Sequence, residues 1–180
     1  DADMILSEFI LLGIGGKELS EENAAQTAKA LNIIQPDFIR VHATGIKLES
    51  KLGEFVRDGS FTLQSEEEIV IEQKLFLQQL HEMDSYYVNE HIVNLLLEVR
   101  GNLRTEKQEM LSTIDRFLTL PPDERLLFTV GRRLNIFFRL DDLKKPKLHQ
   151  KAGESLQQIL SKNPHVDFAA LCNYVRQSQI

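Results

Sequence analysis

The stretch FILLGIGGKELSEENAAQTAKAL, residues 9–31, indicates the fold class of the chain. Its first six residues, 9–14, are almost all apolar, which is typical of a strand that is buried on both faces. A group of glycines follows, and Ser20 with the two glutamates after it then provides an N-cap and an acidic first turn for a helix. A strand that passes through glycines into a helix predicts a βα unit.

The same pattern recurs twice in the first half of the chain. FIRVHA, residues 38–43, and SYYV, residues 85–88, predict a second and a third strand. Between them, Ser65 and Glu68 form a capping box before a long amphipathic helix, and the first turn of that helix explains the acidic run Glu66–Glu68. Strands that alternate with helices favour an α/β fold with a parallel sheet.

From Thr105 onward the sequence predicts helices only. Apolar periodicity and prolines mark four helical segments, which are residues 105–118, 125–138, 149–161 and 166–177. We therefore expect two regions. About three parallel strands with their helices occupy residues 1–103, and an all-helical C-terminal region occupies residues 104–180.

The composition disfavours several classes of function. The net charge is −6 and no basic block alternates with aromatic residues, so nucleic acid is not an expected partner. No apolar run approaches the length of a membrane span, so a membrane is not expected either. The one cysteine, Cys172, lies in an apolar helical pattern typical of packing, and it cannot form an internal disulfide. A cytoplasmic location is the expectation.

Gly13, Gly15 and Gly16 are the first candidate site residues. They follow the first predicted strand, and ligands of parallel α/β proteins bind at the carboxyl ends of the strands. Glycine there permits a close approach to the backbone, and the next helix offers free N–H groups. A tight turn without a ligand explains the three glycines equally well, and they do not form a dinucleotide fingerprint.

The second and third strands also end in polar residues. Arg40 and His42 share one face of the second strand, where a buried arginine needs an acidic or ligand partner, although a strand histidine is more often a core residue. If that face points into a barrel, both side chains line its interior. The third strand is followed by a second group of candidates, which capping and loop hydrogen bonds explain equally well: Asn89, Glu90, His91 and Asn94. His91 and Asn94 would share a helix face if a helix began there.

Four stretches together resemble the C-terminal portion of radical S-adenosylmethionine (radical SAM) iron–sulfur proteins. The likeness is one of order and spacing, and it covers about residues 6–143. The stretches are LLGIGGKELSEENAAQTAKALNIIQPDFIRV, GSFTLQSEEEIVIEQKLFLQQL, VNEHIVNLL and RGNLRTEKQEMLSTIDRFLTLPPDERLLFTVGRRL.

This resemblance implies the late (β/α) units of a TIM-like barrel. Members of the family hold a 4Fe-4S cluster on a C-x3-C-x2-C loop and cleave SAM reductively to a 5′-deoxyadenosyl radical. The strand that ends in GIGG resembles the fifth barrel strand and FIRVHAT the sixth, and the ends of both approach the adenosyl part of SAM. The resemblance therefore implies SAM-binding roles for Gly13, Gly15, Gly16, Arg40, His42 and Thr44. By the same likeness YYVNEH is the next strand, so its polar end lies at the open mouth on the substrate side.

One departure from the family is decisive, because the chain contains no C-x3-C-x2-C motif. By resemblance it is the later half of an oxidoreductase-like parent enzyme, and the SAM and the 4Fe-4S cluster belong to that parent. We expect the chain alone to be inactive and to bind neither cofactor tightly. Its natural partner would be the missing N-terminal half of the barrel. Because half a barrel has an unpaired edge and an uncovered face, we expect self-association, or C-terminal helices that cover the face.

Two other classes of function stay open. A non-enzymatic α/β module could bind a protein partner through its four C-terminal helical segments. A phosphate-binding barrel enzyme of another family could use the turn at Gly15 and Gly16 with the following helix.

Overall fold

The computed structural model describes residues 4–179. Four strands form one sheet in the spatial order β1-β2-β3-β4: β1 (Ser7–Leu12), β2 (Phe38–Ala43), β3 (Tyr86–Val88) and β4 (Gly101–Asn102). The helices are α1 (Ser20–Ile34), α2 (Lys51–Asp58), α3 (Glu66–Gln79), α4 (Lys107–Leu118), α5 (Pro122–Arg133), α6 (Pro146–Lys162) and α7 (Phe168–Gln177), with a short 3-10 helix at Leu140–Lys144. None of these helices has both the length and the apolar character needed to cross a membrane.

The first three strands are parallel, as the sequence predicts, and helices connect them. Helices α1 and α3 pack against each other and lie on the same face of the sheet. The side chains buried on that face are Ile10, Leu12, Ile39, Val41, Ala43 and Tyr87. The α/β class and the helical crossovers are therefore confirmed. The described residues form an open sheet, not a closed barrel.

The opposite face of the sheet, which we call the open face, is not covered by any described element. Phe9 is 65% exposed, Leu11 47% and Tyr86 40%. The prediction that β1 is buried on both faces is therefore wrong. An apolar run is compatible with either environment, and here only the helix side has a covering layer. The C-terminal helices also leave this face open, so the alternative in which they cover it is wrong as well.

The bounds of β1 differ from the prediction, because the strand is Ser7–Leu12 and not residues 9–14. It ends where Gly13 adopts a φ of 82°, which takes the backbone out of the extended conformation. β1 lies at the edge of the sheet, and no strand of residues 4–179 pairs with its outer side. This edge therefore presents unpaired backbone groups.

The C-terminal region is helical as predicted, but the helix predicted at residues 125–138 ends earlier, at Arg133. Helix α5 ends at Arg133 because the amides of Ile136 and Phe137 both donate to the carbonyl oxygen of Gly131, at 2.8 and 3.1 Å. This reversal brings the Phe137 ring against Gly131, where a Cβ would lie 2.3 Å from Cδ2. Only glycine fits that contact. The antiparallel strand β4 was not predicted, because two residues show no periodicity.

One core joins the two predicted regions. A single cluster of buried apolar side chains includes Ile39 and Phe76 of the α/β part, and Phe117, Phe128 and Phe137 of the helical part. The boundary near residue 103 therefore separates two kinds of architecture around a shared core.

Helix α3 begins as the sequence predicts. The Ser65 amide donates to Glu68 Oε2 at 2.7 Å, and the Glu68 amide donates to Ser65 Oγ at 3.2 Å. For α1 the prediction is wrong, because Leu19 occupies the N-cap position and Ser20 is already helical. The Ser20 hydroxyl donates instead to Glu72 Oε2 at 3.0 Å.

Replacement of the cap, Ser65→Ala, should lower the free energy of unfolding by about 1 kcal/mol, since the Glu68 amide loses its acceptor, Ser65 Oγ, while the amide of residue 65 can still donate to Glu68 Oε2. Urea unfolding followed by circular dichroism measures the change. The matched control is Ser155→Ala, because the Ser155 hydroxyl bonds only to the Lys151 carbonyl oxygen within α6. Equal unfolding midpoints for the two variants would contradict the capping role.

Candidate functional site

The carboxyl ends of β1 and β2 lie side by side. Leu12 pairs with Ala43 in the ladder, and the Thr44 amide donates to the Leu12 carbonyl oxygen at 2.8 Å. The glycine turn and Thr44 are therefore neighbours, as a site at this end of the sheet requires. The Thr44 hydroxyl oxygen is buried and has no hydrogen-bond partner within residues 4–179.

A group of aromatic and basic side chains occupies the open face near these ends. We call Phe9, Arg40, His42 and His91 the open-face cluster. The His42 ring stacks on the His91 ring with centroids 4.4 Å apart, and the Phe9 ring meets His42 edge-on at 5.5 Å. The Arg40 guanidinium lies 5.9 Å from the centre of the Phe9 ring. The structure thus brings together three residues that the sequence singled out from two separate segments.

The surroundings of the His42 imidazole favour its neutral form. Burial lowers its pKa from the ordinary value of 6.5, and the nearby charges of His91 and Arg40 lower the pKa further. A neutral imidazole has one nitrogen that donates and one that accepts. The cluster can therefore accept a hydrogen bond at His42 and donate several from Arg40.

The glycine turn is shaped by its own chain. Gly13 and Gly16 have φ values of 82° and 63°, so the backbone itself favours glycine at both positions. A Cβ on Gly16 would lie 3.0 Å from the Thr62 carbonyl oxygen, and one on Gly15 would lie 3.0 Å from that of Leu19. Internal packing thus accounts for the close approach that glycine permits here.

A buried carboxylate sits beside the first turn of α1. Glu72 is fully buried and accepts four hydrogen bonds. The donors are the Gly13 amide at 3.2 Å, Asn23 Nδ2 at 2.7 Å, Ser20 Oγ at 3.0 Å and Gln64 Nε2 at 2.9 Å. Helix N-termini favour anions, and this one already has an internal anion. A phosphate at the glycine turn would have to compete with Glu72, so the phosphate-binding alternative gains no support.

The Asn94 side chain forms hydrogen bonds with the backbone at the end of β2. Its Oδ1 accepts from the Ala43 amide at 2.7 Å, and its Nδ2 donates to the Val41 carbonyl oxygen at 2.7 Å. The side chain thus replaces a neighbouring strand, since β3 is too short to reach these positions. No helix begins at His91, so the helical pairing of His91 with Asn94 does not form.

The other candidates after β3 also have local partners. Asn89 Nδ2 donates to the Leu96 carbonyl oxygen at 2.6 Å, and Glu90 forms an exposed ion pair with Arg100. His91 differs from these two, because its ring lies on the open face against His42.

A buried ionic network holds the loop between β3 and β4 in place. The Glu66 carboxylate, 4% exposed, accepts from Arg133 Nε at 2.9 Å and Nη2 at 2.6 Å, and it also pairs with Arg176. Arg133 Nη2 donates to the Val93 carbonyl oxygen at 2.9 Å, and Arg176 Nε donates to that of Thr44 at 3.0 Å. No local pattern marks this role of Glu66, because its partners lie 67 and 110 residues away along the chain.

Arg132 holds the same loop from the interior. It is fully buried, and its Nη2 donates to the carbonyl oxygens of Ile92 at 3.1 Å and Asn94 at 3.2 Å. Burial lowers the pKa of Arg132 to about 10, so the guanidinium stays charged near pH 7.

The described residues do not fit an iron–sulfur cluster. No three of their His, Cys, Asp or Glu side chains are placed to share a metal ion. Cys172 is buried on α7, and burial raises the pKa of its thiol to about 12. A 4Fe-4S cluster needs several thiolates, and this chain has one protonated thiol.

Comparisons with family models, curated proteins and solved structures found no match to this chain.

Replacement of Glu66 by Gln should lower the free energy of unfolding near neutral pH by about 3–5 kcal/mol, because two buried guanidiniums lose their counter-charge. The control is Glu67→Gln, which removes a partly exposed partner of Arg125. Urea unfolding of both variants and the unchanged chain provides the comparison. A loss for Glu66→Gln no larger than that for Glu67→Gln would contradict the network.

The same network predicts a pH dependence. Burial raises the pKa of Glu66, but Arg133 and Arg176 outweigh this effect and hold it below the ordinary value of 4.5. Its contribution to stability is therefore complete above that value and is lost as the pH falls through the lower folded-state pKa. The stability gap between the unchanged chain and Glu66→Gln should shrink on acidification. A stability gap that stays constant in urea titrations as the pH falls below 4.5 would contradict the pairing of an ionised Glu66 with the two arginines.

Proposed function

We propose that this chain forms the later part of the (β/α) barrel of a radical SAM iron–sulfur enzyme. The observation that carries the proposal is the one-sided sheet, in which α1 and α3 cover one face and the strands follow one another in order. The resemblance of residues 6–143 to radical SAM proteins supplies the family.

The one-sided arrangement favours a barrel over a doubly wound sheet. Doubly wound sheets carry helices on both faces, whereas barrels carry them outside and turn the other face inward. In the proposed barrel, Arg40 and His42 line the interior. Thr44, with its unpartnered hydroxyl, and the glycine turn lie at the carboxyl ends, where barrel enzymes place their chemistry.

SAM would be held at this mouth by residues that the resemblance implies. The Thr44 hydroxyl and the His42 imidazole offer hydrogen bonds to its adenosyl group. The adjacent turn would present backbone without side chains at Gly13, Gly15 and Gly16. SAM brings the sulfonium whose cleavage gives the radical in this family.

These 180 residues would not hold the 4Fe-4S cluster, because their single thiol is protonated and buried. In the proposal its cysteines lie in another part of the parent enzyme, which also supplies the N-terminal half of the barrel. We assign no radical step to residues of this chain. The proposed location is the cytoplasm, where thiols stay reduced.

A non-enzymatic interaction module is the second candidate. The unpaired edge of β1 and the exposed apolar side chains of the open face favour it, since such features are typical of protein contacts.

Anaerobic reconstitution of the natural gene product with iron and sulfide separates the two candidates. The proposal predicts visible iron–sulfur absorption and release of 5′-deoxyadenosine from SAM under reducing conditions. A gene product with neither property would contradict the radical SAM proposal and favour the interaction module.

The 180-residue chain should self-associate through the edge of β1 and the open face. Sedimentation velocity should show a concentration-dependent shift that Leu11→Lys reduces, because the charge lies on the open face. The control is Leu48→Lys, since Leu48 is also exposed but lies in the loop before α2. A monomer at all concentrations, with fast amide exchange in residues 7–12, would contradict self-association.

A further inference from the structure

The open face is basic and aromatic, although the chain as a whole is acidic. The side chains of the parallel strands on this face are Ser7, Phe9, Leu11, Phe38, Arg40, His42, Tyr86 and Val88. None of them is acidic, whereas the chain has a net charge of −6. Glu8 belongs to the helix side, because it is in register with the buried Ile39. Arg40 carries the one full charge among these eight side chains, and a positive charge with no acidic neighbour on its face favours a ligand of the opposite sign.

Arg40 is held at the centre of this face. Its Nε donates to Ser7 Oγ at 3.0 Å, and its guanidinium carbon lies 5.9 and 5.7 Å from the centres of the Phe9 and Phe38 rings. The two terminal nitrogens form no hydrogen bond or ion pair within residues 4–179. A guanidinium whose plane is fixed and whose two terminal nitrogens are free to donate suits a carboxylate, phosphate or sulfonate.

The two imidazoles extend the same surface. His42 and His91 stack at 4.4 Å, and the nearest acidic residue along the chain, Glu90, is engaged by Arg100. No carboxylate of the described residues lies within ion-pair distance of either imidazole. The edge-on contact between Phe9 and His42 adds a flat apolar wall.

We propose that the open-face cluster, with Phe38, binds an anionic ligand that carries a planar aromatic group. The anionic group meets the free nitrogens of Arg40, and the ring packs against Phe9, Phe38 and the imidazoles. That this ligand is the substrate of the parent enzyme rests on the proposed function, in which the open face is the barrel interior. The substrate would then be anionic and aromatic.

The test uses two probes that share one ring system. 1-Naphthalenesulfonate carries an anion, and 1-naphthylmethylammonium carries a cation. Calorimetric titration of the 180-residue chain near neutral pH, below the concentration at which it associates, gives both affinities. The sulfonate should bind about tenfold more tightly or better, because only it can accept from Arg40. Amide shifts in NMR spectra should centre on residues 38–42 and on His91.

Variants assign the site to named side chains. Arg40→Gln should weaken sulfonate binding by about tenfold, since a hydrogen bond to a charged group is lost, and should not weaken ammonium binding, since the repulsion between two cations is removed. His91→Gln should weaken the binding of both probes, because the naphthalene ring loses a stacking surface. The control is Arg57→Gln, an exposed arginine at the end of α2 that should have no effect.

Three results would overturn the inference. They are equal affinity for the two probes, sulfonate binding unaffected by Arg40→Gln, and amide shifts that lie away from the open face. None of these readouts depends on iron or SAM. If reconstitution fails while the sulfonate binds as described, the radical SAM proposal falls and the anion site stands. If reconstitution succeeds while the sulfonate does not bind, only this inference falls.

Discussion

The arrangement of this protein depends on the buried carboxylate of Glu66. It brings the N-terminus of α3 to the guanidiniums of Arg133 on α5 and Arg176 on α7. Those two arginines then hold the carbonyl groups of Val93 and Thr44, so the network reaches both the loop after β3 and the end of β2. The stack of His91 on His42 is possible because this loop is fixed there. A core interaction therefore positions a surface site.

The second constraint is the one-sidedness of the sheet. Ile39, Val41 and Ala43 are buried on the helix side, while Phe38, Arg40 and His42 alternate with them on the open side. The helix side contributes stability, and within residues 4–179 no carboxylate pairs with the basic groups of the open side. Both the barrel proposal and the anion site follow from this division, because each needs a face that the chain itself does not cover.

Patterns within a few residues predicted much of this fold, whereas contacts between residues far apart in the sequence could not be predicted. The alternation in β2 and the capping box of Ser65 and Glu68 are each contained in a few residues, so the sequence shows them directly. The exposed side of β1 could not be predicted, because an apolar run does not reveal which face has a covering layer. Glu66 and Glu72 were missed for another reason, since their partners lie far away in sequence and no periodicity marks a buried carboxylate.

Hydroxyl-radical footprinting of the chain, at a dilution where it is monomeric, is the sharpest test of the one-sided sheet. Phe9 and Tyr86 lie on the open face, whereas Phe76 and Tyr87 are fully buried. We expect rapid oxidation of Phe9 and Tyr86 and strong protection of Phe76 and Tyr87. Protection of Phe9 and Tyr86 comparable to that of Phe76 and Tyr87 would show that both faces are covered, and would contradict the one-sided sheet.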